Sequence, residues 1–340
     1  KSRRERKVWG QMIIRLVKRK AGIALVIVLI IIASLVVIAT GFAFSMGVEA
    51  RLVRNTRYNP DLDWLGRSGV ELARFILSKR VPGEERMDAL HQRWAGGPGR
   101  FAGAMSDGSI AELEPWEELP LTNVQLGQGT FSIKITDQER KLNINSAPEP
   151  LMRYILEQHA GVAATDVDIY IDSLKDWMDP DENPGLNGAE SDDYLGEPDP
   201  YYAKNGPLDH ITELKMVMGF KDDPVAYEIF AKHFTAISGG LVNINTTTAD
   251  VLELLPGMDP IIAQDIIGFR LEQPYQSVGD INQIAPPEFT DGIREYLSTQ
   301  SATFEVEVTA QVGNDPPRKY RSLLRRVSLQ DIRILYFHSE

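Results

Sequence analysis

The sequence contains no cysteine, and this absence excludes several kinds of chemistry. A disulfide framework, a zinc site with thiolate ligands, an iron–sulfur cluster and a cysteine nucleophile all require this residue. The five histidines, at positions 91, 159, 210, 233 and 338, form no close pair that would suit a transition metal. A Gly-x-Ser-x-Gly elbow, a phosphate loop and a dinucleotide fingerprint are also missing. We therefore predict that the protein is not an enzyme.

A long apolar run occurs only once in the 340 residues. Residues 21–48 carry no ionisable side chain, and a bilayer core of about 30 Å needs roughly 20 such residues in a helix. The first twenty residues carry a net charge of +8, so the remaining residues sum to −20. Lys18, Arg19 and Lys20 lie directly before the run, and basic residues favour the cytoplasmic side. We predict a single membrane span, with a cytoplasmic N-terminus and the residues after Val48 on the other side of the membrane.

The junction between the basic start and the apolar run allows three interpretations. A cleaved secretory signal has a shorter apolar core of about 7 to 15 residues, followed by small residues such as Gly41 and Ala43. The second interpretation is an uncleaved membrane anchor, which requires only the apolar run of residues 21–48. The third interpretation rests on Ala21, Gly22 and Ile23, which follow the basic residues in an order that resembles the class III leader of type IV pilins and pseudopilins. This resemblance implies that a prepilin peptidase cuts between Gly22 and Ile23.

The segment after the apolar run predicts an amphipathic helix. Its apolar residues recur at helical spacing at Val70, Leu72, Ala73, Ile76 and Leu77. Pro60 interrupts the segment, and an interior proline removes a backbone donor and clashes with the preceding turn. We therefore expect a kink or a break near Asn59.

Four β-rich runs lie in two separated parts of the chain. Residues 131–135 and 304–308 alternate apolar and polar side chains, and residues 320–329 and 332–337 supply two more runs. The sequence between the two parts reads mainly as helices with proline and glycine connections. The pattern predicts an α+β fold, with a long N-terminal transmembrane helix and a small antiparallel sheet that a large helical insertion splits.

The insertion contains an internal echo. Residues 142–148 and 242–248 share an Asn-x-Asn core followed by serine or threonine, one hundred residues apart. We expect the asparagines to hold a turn and a serine or threonine side chain to cap the helix that follows.

The strongest chemical cluster lies in residues 176–203, where nine acidic residues occur without a lysine or arginine. Carboxylates at this density repel one another unless they are spread in water or neutralised by a cation. Calcium suits such a loop because it takes six to eight oxygen ligands in flexible geometry. The spacing is not that of an EF-hand. A solvated acidic loop is the alternative.

These features resemble the minor pseudopilin K family of type II secretion, also called general secretion pathway protein K. The acidic loop carries the residues of that family's calcium-binding pattern: Asp176-Trp177, Asp179, Asp181, Gly188-Ala189-Glu190 and Tyr194. Ser191 replaces the second acid of the family's Gly-Ala-Glu-Asp motif, which puts one ligand or a second ion in doubt. Ile27 stands at the fifth position after the leader, where ordinary pilins carry glutamate and this family does not.

The resemblance implies a non-enzymatic subunit at the tip of the pseudopilus, which initiates or caps its assembly for protein export. It also implies that the span lies in a bacterial inner membrane and that the main domain is periplasmic. It implies a pilin-like sheet and calcium as cofactor, with Asp179, Asp181, Glu190 and Asp193 as ligands and Asp176 as a further candidate. The implied partners are the minor pseudopilins I and J, other pseudopilins, the prepilin peptidase and inner-membrane lipid. A large tip subunit of a type IV pilus is the nearest alternative.

The predicted organisation has four parts. Residues 1–22 form a leader, and 23–80 form the transmembrane and amphipathic helix. The pilin-like domain comprises 81–140 with 301–340. The insertion comprises 141–300, with the acidic loop at 176–203 and a hairpin-like unit at 241–300.

The hairpin-like unit gives a rival interpretation, because it resembles the helix-hairpin-helix modules that bind DNA. In those modules a Gly-hydrophobe-Gly turn offers backbone donors to a phosphate. Here Asp259 occupies the position of the second glycine, and residues 241–300 contain nine acids against Arg270 and Arg294. This surface should repel nucleic acid, so we predict a packing module and no nucleic-acid partner.

Overall fold

The computed structural model describes residues 3–81, 83–99 and 114–340 and separates them into two compact units. The first unit ends at Asp63 and the second comprises Trp64–Glu340. One helix, α1, runs over Arg3–Leu77 and contributes to both units. The predicted domain piece 81–140 includes residues 82 and 100–113, which lie outside the described residues. The predicted domain boundaries therefore stay predictions.

The part of α1 in the first unit contains a stretch long and apolar enough to cross a bilayer. Ala24–Glu49 has 26 residues and a mean hydropathy of 3.1, and its side chains are exposed throughout. So many exposed apolar side chains are unfavourable in water and suit lipid. The chain therefore carries a membrane-anchoring helix. The exposure of residues 22 and 23 is outside what the structure describes, so cleavage between Gly22 and Ile23 stays a prediction.

The helix α1 continues through Pro60, so a break near Asn59 is wrong, whereas a kink there stays a prediction. An interior proline removes one hydrogen bond between residues four apart and crowds the preceding turn. The neighbouring turns keep their own hydrogen bonds, and these are sufficient here to keep the backbone helical on both sides.

The part of α1 in the second unit is amphipathic, as predicted. Its buried side chains are Leu65, Val70, Ala73, Ile76 and Leu77, whereas Leu72 is half-buried. Two glycines bring this helix close to a sheet. A Cβ atom on Gly69 would lie 2.5 Å from a Val308 methyl group, and one on Gly66 would lie 2.7 Å from the Tyr320 ring. Larger side chains at either position would push the helix away from the sheet.

The sheet has five antiparallel strands in the order β1-β2-β7-β8-β9. Their bounds are β1 Val124–Leu126, β2 Gly129–Asp137, β7 Thr303–Val312, β8 Arg318–Arg326 and β9 Ile332–Ser339. The neighbours β2 and β7 pair along their whole length, with Ile133 opposite Val308, although residues 138–302 separate them in sequence. The predicted α+β class, with a split antiparallel sheet, is confirmed.

The residues between β2 and β7 are mainly helical. The α-helices are α2 Glu149–Gln158, α3 Val167–Met178, α4 Ser191–Tyr194, α5 Pro224–His233, α6 Ala249–Leu252, α7 Pro260–Glu272 and α8 Pro287–Thr290. Four two-residue strands accompany them: β3 Leu142–Asn143, β4 Phe234–Thr235, β5 Val242–Asn243 and β6 Leu297–Ser298. One hydrophobic cluster runs through these elements and forms the core of the insertion.

The sequence echo corresponds to two similar modules. Strand β3 pairs with β4 in parallel, and β5 pairs with β6 in the same way. In each module the first asparagine of the echo accepts a hydrogen bond from the backbone of the second, at 2.8 Å for Asn143 and 2.9 Å for Asn243. The predicted turn-holding role of the asparagines is therefore confirmed.

The second asparagine of each echo ties its module together. Asn145 bonds the backbone of Leu208, and Asn245 bonds both the N–H and the C=O of Tyr275. The predicted serine or threonine caps are wrong. Helix α2 starts after Pro148, and Thr248 makes no capping side-chain bond before α6. Proline pre-sets the backbone angle of a first helical turn, so α2 does not depend on a side-chain cap.

A buried polar cluster joins the insertion to the sheet. Asp137, at the end of β2, accepts hydrogen bonds from the hydroxyls of Thr246 and Ser301, the latter at 2.6 Å. Burial, followed by the nearby charge of Glu139, raises the pKa of Asp137 to about 8. Buried polar groups with this many partners fix one arrangement of the elements that carry them.

Candidate metal centre

The acidic loop begins where α3 ends. Val167, Ile171, Leu174 and Trp177 follow at spacings of three or four residues and are all buried, so they form the core face of α3. Asp176 precedes Trp177 and is only 4% exposed. The last turn of α3 therefore carries a carboxylate into the interior, although aspartate is rarely buried without a partner.

An aromatic cluster anchors the far end of the loop to α3. The ring of Trp177 meets the ring of Tyr194 edge-on, with 5.4 Å between centroids, and Tyr194 stacks on Tyr201 at 5.1 Å. The hydroxyl of Tyr194 accepts a hydrogen bond from the Met218 backbone at 3.2 Å. Because Tyr194 ends α4, this packing holds the residues just before it close to the end of α3.

Three carboxylates converge between these two anchor points. One oxygen from each of Asp176, Asp179 and Glu190 lies within 4.8 Å of the others. Glu190 is 3% exposed, and neither of its carboxylate oxygens has a hydrogen-bond partner. One oxygen of Asp179 is likewise buried and without a partner. Buried carboxylate oxygens without donors are unfavourable, and a cation would satisfy them.

The pKa shifts of these carboxylates also favour a bound cation. Burial, followed by the charges of Asp176 and Asp179, raises the pKa of Glu190 to about 7. Burial also raises the pKa of Asp176, and a hydrogen bond from the Gly185 N–H opposes that rise. Three acids that repel one another in a water-poor place are a common arrangement for binding a hard cation.

Two glycines form a cradle around Asp176. The Gly185 N–H donates to an Asp176 carboxylate oxygen at 2.9 Å. A Cβ atom on Gly188 would lie only 1.8 Å from the same oxygen. The glycine of the Gly188-Ala189-Glu190 motif is therefore required because the backbone passes directly against a candidate ligand.

The other two predicted ligands lie outside this group. Asp181 is exposed and accepts bonds from the backbone and side chain of Asn183, at 2.9 and 2.7 Å. Asp193 is exposed and accepts a bond from the Glu190 N–H at 3.0 Å. The structure thus brings together three of the five predicted ligands and gives Asp181 and Asp193 roles in shaping the loop.

Sequence reasoning missed the part played by Glu182. Its carboxylate accepts bonds from the backbone and hydroxyl of Ser191, at 3.3 and 3.0 Å, and from the Asn205 side chain at 2.8 Å. Ser191, which replaces an acid of the family motif, therefore closes the loop by hydrogen bonding. The sequence signal for this role was Ser191 itself, because a hydroxyl donor stands where the family motif has an acid and can bond a carboxylate of the same loop.

The donor set fits calcium better than a transition metal. The three converging groups are all carboxylates, whereas zinc and copper sites normally include histidine or cysteine. Calcium takes six to eight oxygen ligands, so backbone or water oxygens would complete a site built on the two aspartates and the glutamate. The described residues contain no other group of this kind.

The turn of the hairpin-like unit carries an acidic residue directly before α7. Gly257 adopts a positive φ of 77°, as a hairpin turn requires, and Met258 packs into the core. The Asp259 side chain accepts a hydrogen bond from the Ile261 N–H at 2.7 Å and so caps α7. A carboxylate therefore occupies the helix N-terminus, where a phosphate would otherwise bind.

Comparisons with known proteins give consistent matches. The family model for type II secretion system protein K matches residues 137–237. The type II secretion system protein K of Klebsiella pneumoniae is 25% identical over 318 residues, which cover 91% of this chain and 93% of that protein. The protein of the same description from Pectobacterium carotovorum is 27% identical over 323 residues, covering 90% and 92%.

A solved structure matches the fold. A chain in the crystal structure of the GspK-GspI-GspJ complex from the enterotoxigenic Escherichia coli type 2 secretion system superposes with a TM-score of 0.64. The identity is 23%, and the match covers 85% of this chain and 99% of that one.

Proposed function

We infer from these matches that this chain is a member of the type II secretion system protein K family and that it caps or initiates the pseudopilus. It is a membrane-anchored minor pseudopilin, a structural component of the secretion machinery. The finer proposal has four parts: a position at the fibre tip, a periplasmic main domain, a calcium-bound insertion and no catalytic step.

We infer the position at the fibre tip from the size of the insertion. A fibre subunit within the shaft needs free space for the subunit stacked above it. Here residues 138–302 emerge between two adjacent strands and fold around a hydrophobic core of their own. A head of this bulk fits best where no further subunit follows.

The N-terminal sequence supports the same position. In pilins the glutamate at the fifth mature position pairs with the N-terminal amine of a neighbouring subunit. Cleavage after Gly22 would place Ile27 at that position. A carboxylate without a partner is costly in lipid, so a subunit that lacks this pairing is better served by an apolar residue.

The partners follow from the family and the fold. The matched crystal structure is named for a complex of GspK with GspI and GspJ. We propose that this chain assembles with the minor pseudopilins I and J and that the prepilin peptidase removes its leader at the cytoplasmic side. The basic residues before the apolar run favour that orientation.

The proposed calcium site uses Asp176, Asp179 and Glu190 as carboxylate ligands. The unpartnered oxygens of Asp179 and Glu190 support this assignment. Bound calcium would neutralise their mutual repulsion and tie the end of α3 to the residue that precedes α4. Its role here would be structural, since it would hold the loop in one conformation.

The tip position can be tested by end-labelling, because the chain has no cysteine. Leu186 is 96% exposed, so Leu186→Cys in the full-length protein supplies one labelling site. Gold-labelled maleimide on purified fibres should appear at one end of each fibre, and Ile261→Cys, at a position 72% exposed, should give the same pattern. Label repeated along the shaft, or fibres without any label, would refute the proposal.

The calcium site needs a separate experiment. Calcium should raise the melting temperature of the full-length protein in detergent, and Glu190→Gln should remove that rise. The matched control is Asp181→Asn, which removes one exposed carboxylate outside the converging group. A control that lost as much stabilisation as Glu190→Gln would show that the ligand set is wrong, and no calcium effect on the native chain would eliminate the site.

A further inference from the structure

The edge strand β2 is only partly covered on its outer side. Strand β1 pairs with residues 129–131 of β2, and the Ile133 N–H then donates to the Leu121 carbonyl at 2.7 Å. Alternate residues of a strand direct their backbone groups to the same side, so Ile135 presents its N–H and C=O to this edge. Within residues 3–81, 83–99 and 114–340, no hydrogen bond to Ile135 is made across this edge. Ile135 is only 7% exposed, so a further strand could reach this unpaired backbone only through the cavity beside it.

A groove runs along the end of β2, partly on this edge and partly over the neighbouring strand, since its wall includes Glu305 of β7. It consists of two adjoining cavities of about 390 and 320 Å³, which share Thr136, Asp137 and Arg140 in their walls. The first cavity lies beside Ile133 and Trp94 and is partly apolar. The second continues towards the insertion. Their combined size is in the range of sites that accept a short peptide, and it exceeds what a single small anion needs.

Four cations and three acids line the groove. Lys134 and Arg140 line the first cavity, and Arg140, Lys141 and Lys232 line the second. The described residues give neither Arg140 nor Lys141 an ion-pair partner. The pKa of the Lys141 amine is lowered, first by burial and then by the neighbouring charge of Arg140. The two cations therefore repel each other across the groove wall.

The acids that face the groove are already occupied. Asp250 pairs with Lys232 at 2.6 Å, and Glu305 lies 3.5 Å from Arg321. Asp137 is buried, and burial raises its pKa, which favours its neutral form. His233 is buried, and burial lowers its pKa, so it adds no positive charge at neutral pH. Arg140 and Lys141 leave the groove positive, although residues 21–340 carry a net charge of −20.

We propose that this groove binds an extended, acid-rich segment of a partner protein, which adds to the sheet as a strand beside β2. The backbone of the segment bonds Ile135, and its carboxylates contact Arg140 and Lys141. Main-chain bonding gives such strand addition its affinity, and side-chain contacts give it specificity. This site is independent of the proposed position at the fibre tip.

The first test uses a fluorescent peptide of alternating glutamate and valine, six residues long, with the full-length protein in detergent. Fluorescence anisotropy should show binding that weakens by at least about 10-fold from low to high salt. A glutamine–valine peptide should bind at least about 10-fold more weakly. A peptide N-methylated at alternate backbone nitrogens should also bind at least about 10-fold more weakly, because it cannot complete the strand pairing.

The second test removes the groove charges. The double variant Arg140→Gln/Lys141→Gln should lose at least about 10-fold in affinity for the glutamate peptide, since two charge contacts disappear. The matched control Lys319→Gln/Arg325→Gln removes two exposed cations from β8 in the same sheet and should bind as the native chain does. Thermal unfolding establishes that each variant is folded.

Several results would overturn the proposal. They are no binding of the glutamate peptide, equal loss in both double variants, or equal binding of the N-methylated peptide. Displacement of the peptide by inorganic phosphate at the peptide's own concentration would also overturn it, because the site would then recognise a small anion only. If the double variant at Arg140 and Lys141 did not fold, the N-methylated peptide on the native chain would still decide the question.

Discussion

The substitution Gly188→Ala tests the candidate metal centre without removing any carboxylate. An added Cβ would lie 1.8 Å from an Asp176 carboxylate oxygen and 2.7 Å from its carboxyl carbon. Ordinary contact between such atoms needs roughly 3.5 Å, so the carboxylate must retreat by about 1.5 Å or more. Asp176 would then also lose its bond from the Gly185 N–H. One of the three converging ligands would be displaced although its charge remains.

Displacing the group that orients a ligand typically lowers metal affinity by about 10- to 100-fold. We expect Gly188→Ala to weaken calcium binding by this factor, which corresponds to about 1.4 to 2.7 kcal/mol. Isothermal titration calorimetry of the full-length protein in detergent measures it. Gly206→Ala is the matched control, because its Cβ would meet nothing closer than 4.0 Å. Unchanged calcium affinity in Gly188→Ala would refute the placement of Asp176 in the site.

Three further predictions concern packing, pH and the membrane anchor. Gly69→Ala should destabilise the protein by about 1 to 3 kcal/mol in urea unfolding, because its Cβ would meet Val308 at 2.5 Å. Gly268→Ala in α7, with nothing within 4 Å, should stabilise it by about 0.5 to 1 kcal/mol, and destabilisation by both variants would contradict the packing argument. The free energy of unfolding should fall as the pH rises from about 4 to 8, since folded Asp137 holds its proton up to a pKa of about 8. Asp137→Asn should flatten that fall, and an unchanged pH slope would show that another group causes it. Val36→Lys in the apolar run should shift the chain from the membrane pellet to the soluble fraction, because lysine costs about 3 kcal/mol at the centre of a span.

Different parts of the fold were predictable for different reasons. The four long strands and the amphipathic end of α1 followed from the period of their apolar residues, which burial on one face imposes. The predicted break at Pro60 was wrong because proline removes only one hydrogen bond of the helix. The bonds of the neighbouring turns keep the backbone helical on both sides. The predicted caps of α2 and α6 were wrong because Pro148 occupies the cap position of α2, and Thr248, at the cap position of α6, makes no capping side-chain bond.

The two echoes also differ in a way that the local sequence could not reveal. The second asparagine bonds a residue 63 positions away in the first module and 30 positions away in the second. The acidic loop lies in that longer connection of the first module. Only a folded chain shows that Leu208 and Tyr275 occupy equivalent places, because the stretches between them and their asparagines differ in length.

By itself the sequence determined the membrane anchor, the alternation of the sheet strands and the stretch of chain that carries the acids. These properties depend on local composition and period, which a linear chain already contains. The tertiary structure decided which acids meet. Asp176, Asp179 and Glu190 converge because the Trp177 and Tyr194 rings bring the end of α3 against the start of α4. It also decided that Arg140 lies beside an unpaired strand edge, since that edge exists only once residues 138–302 leave the sheet between β2 and β7.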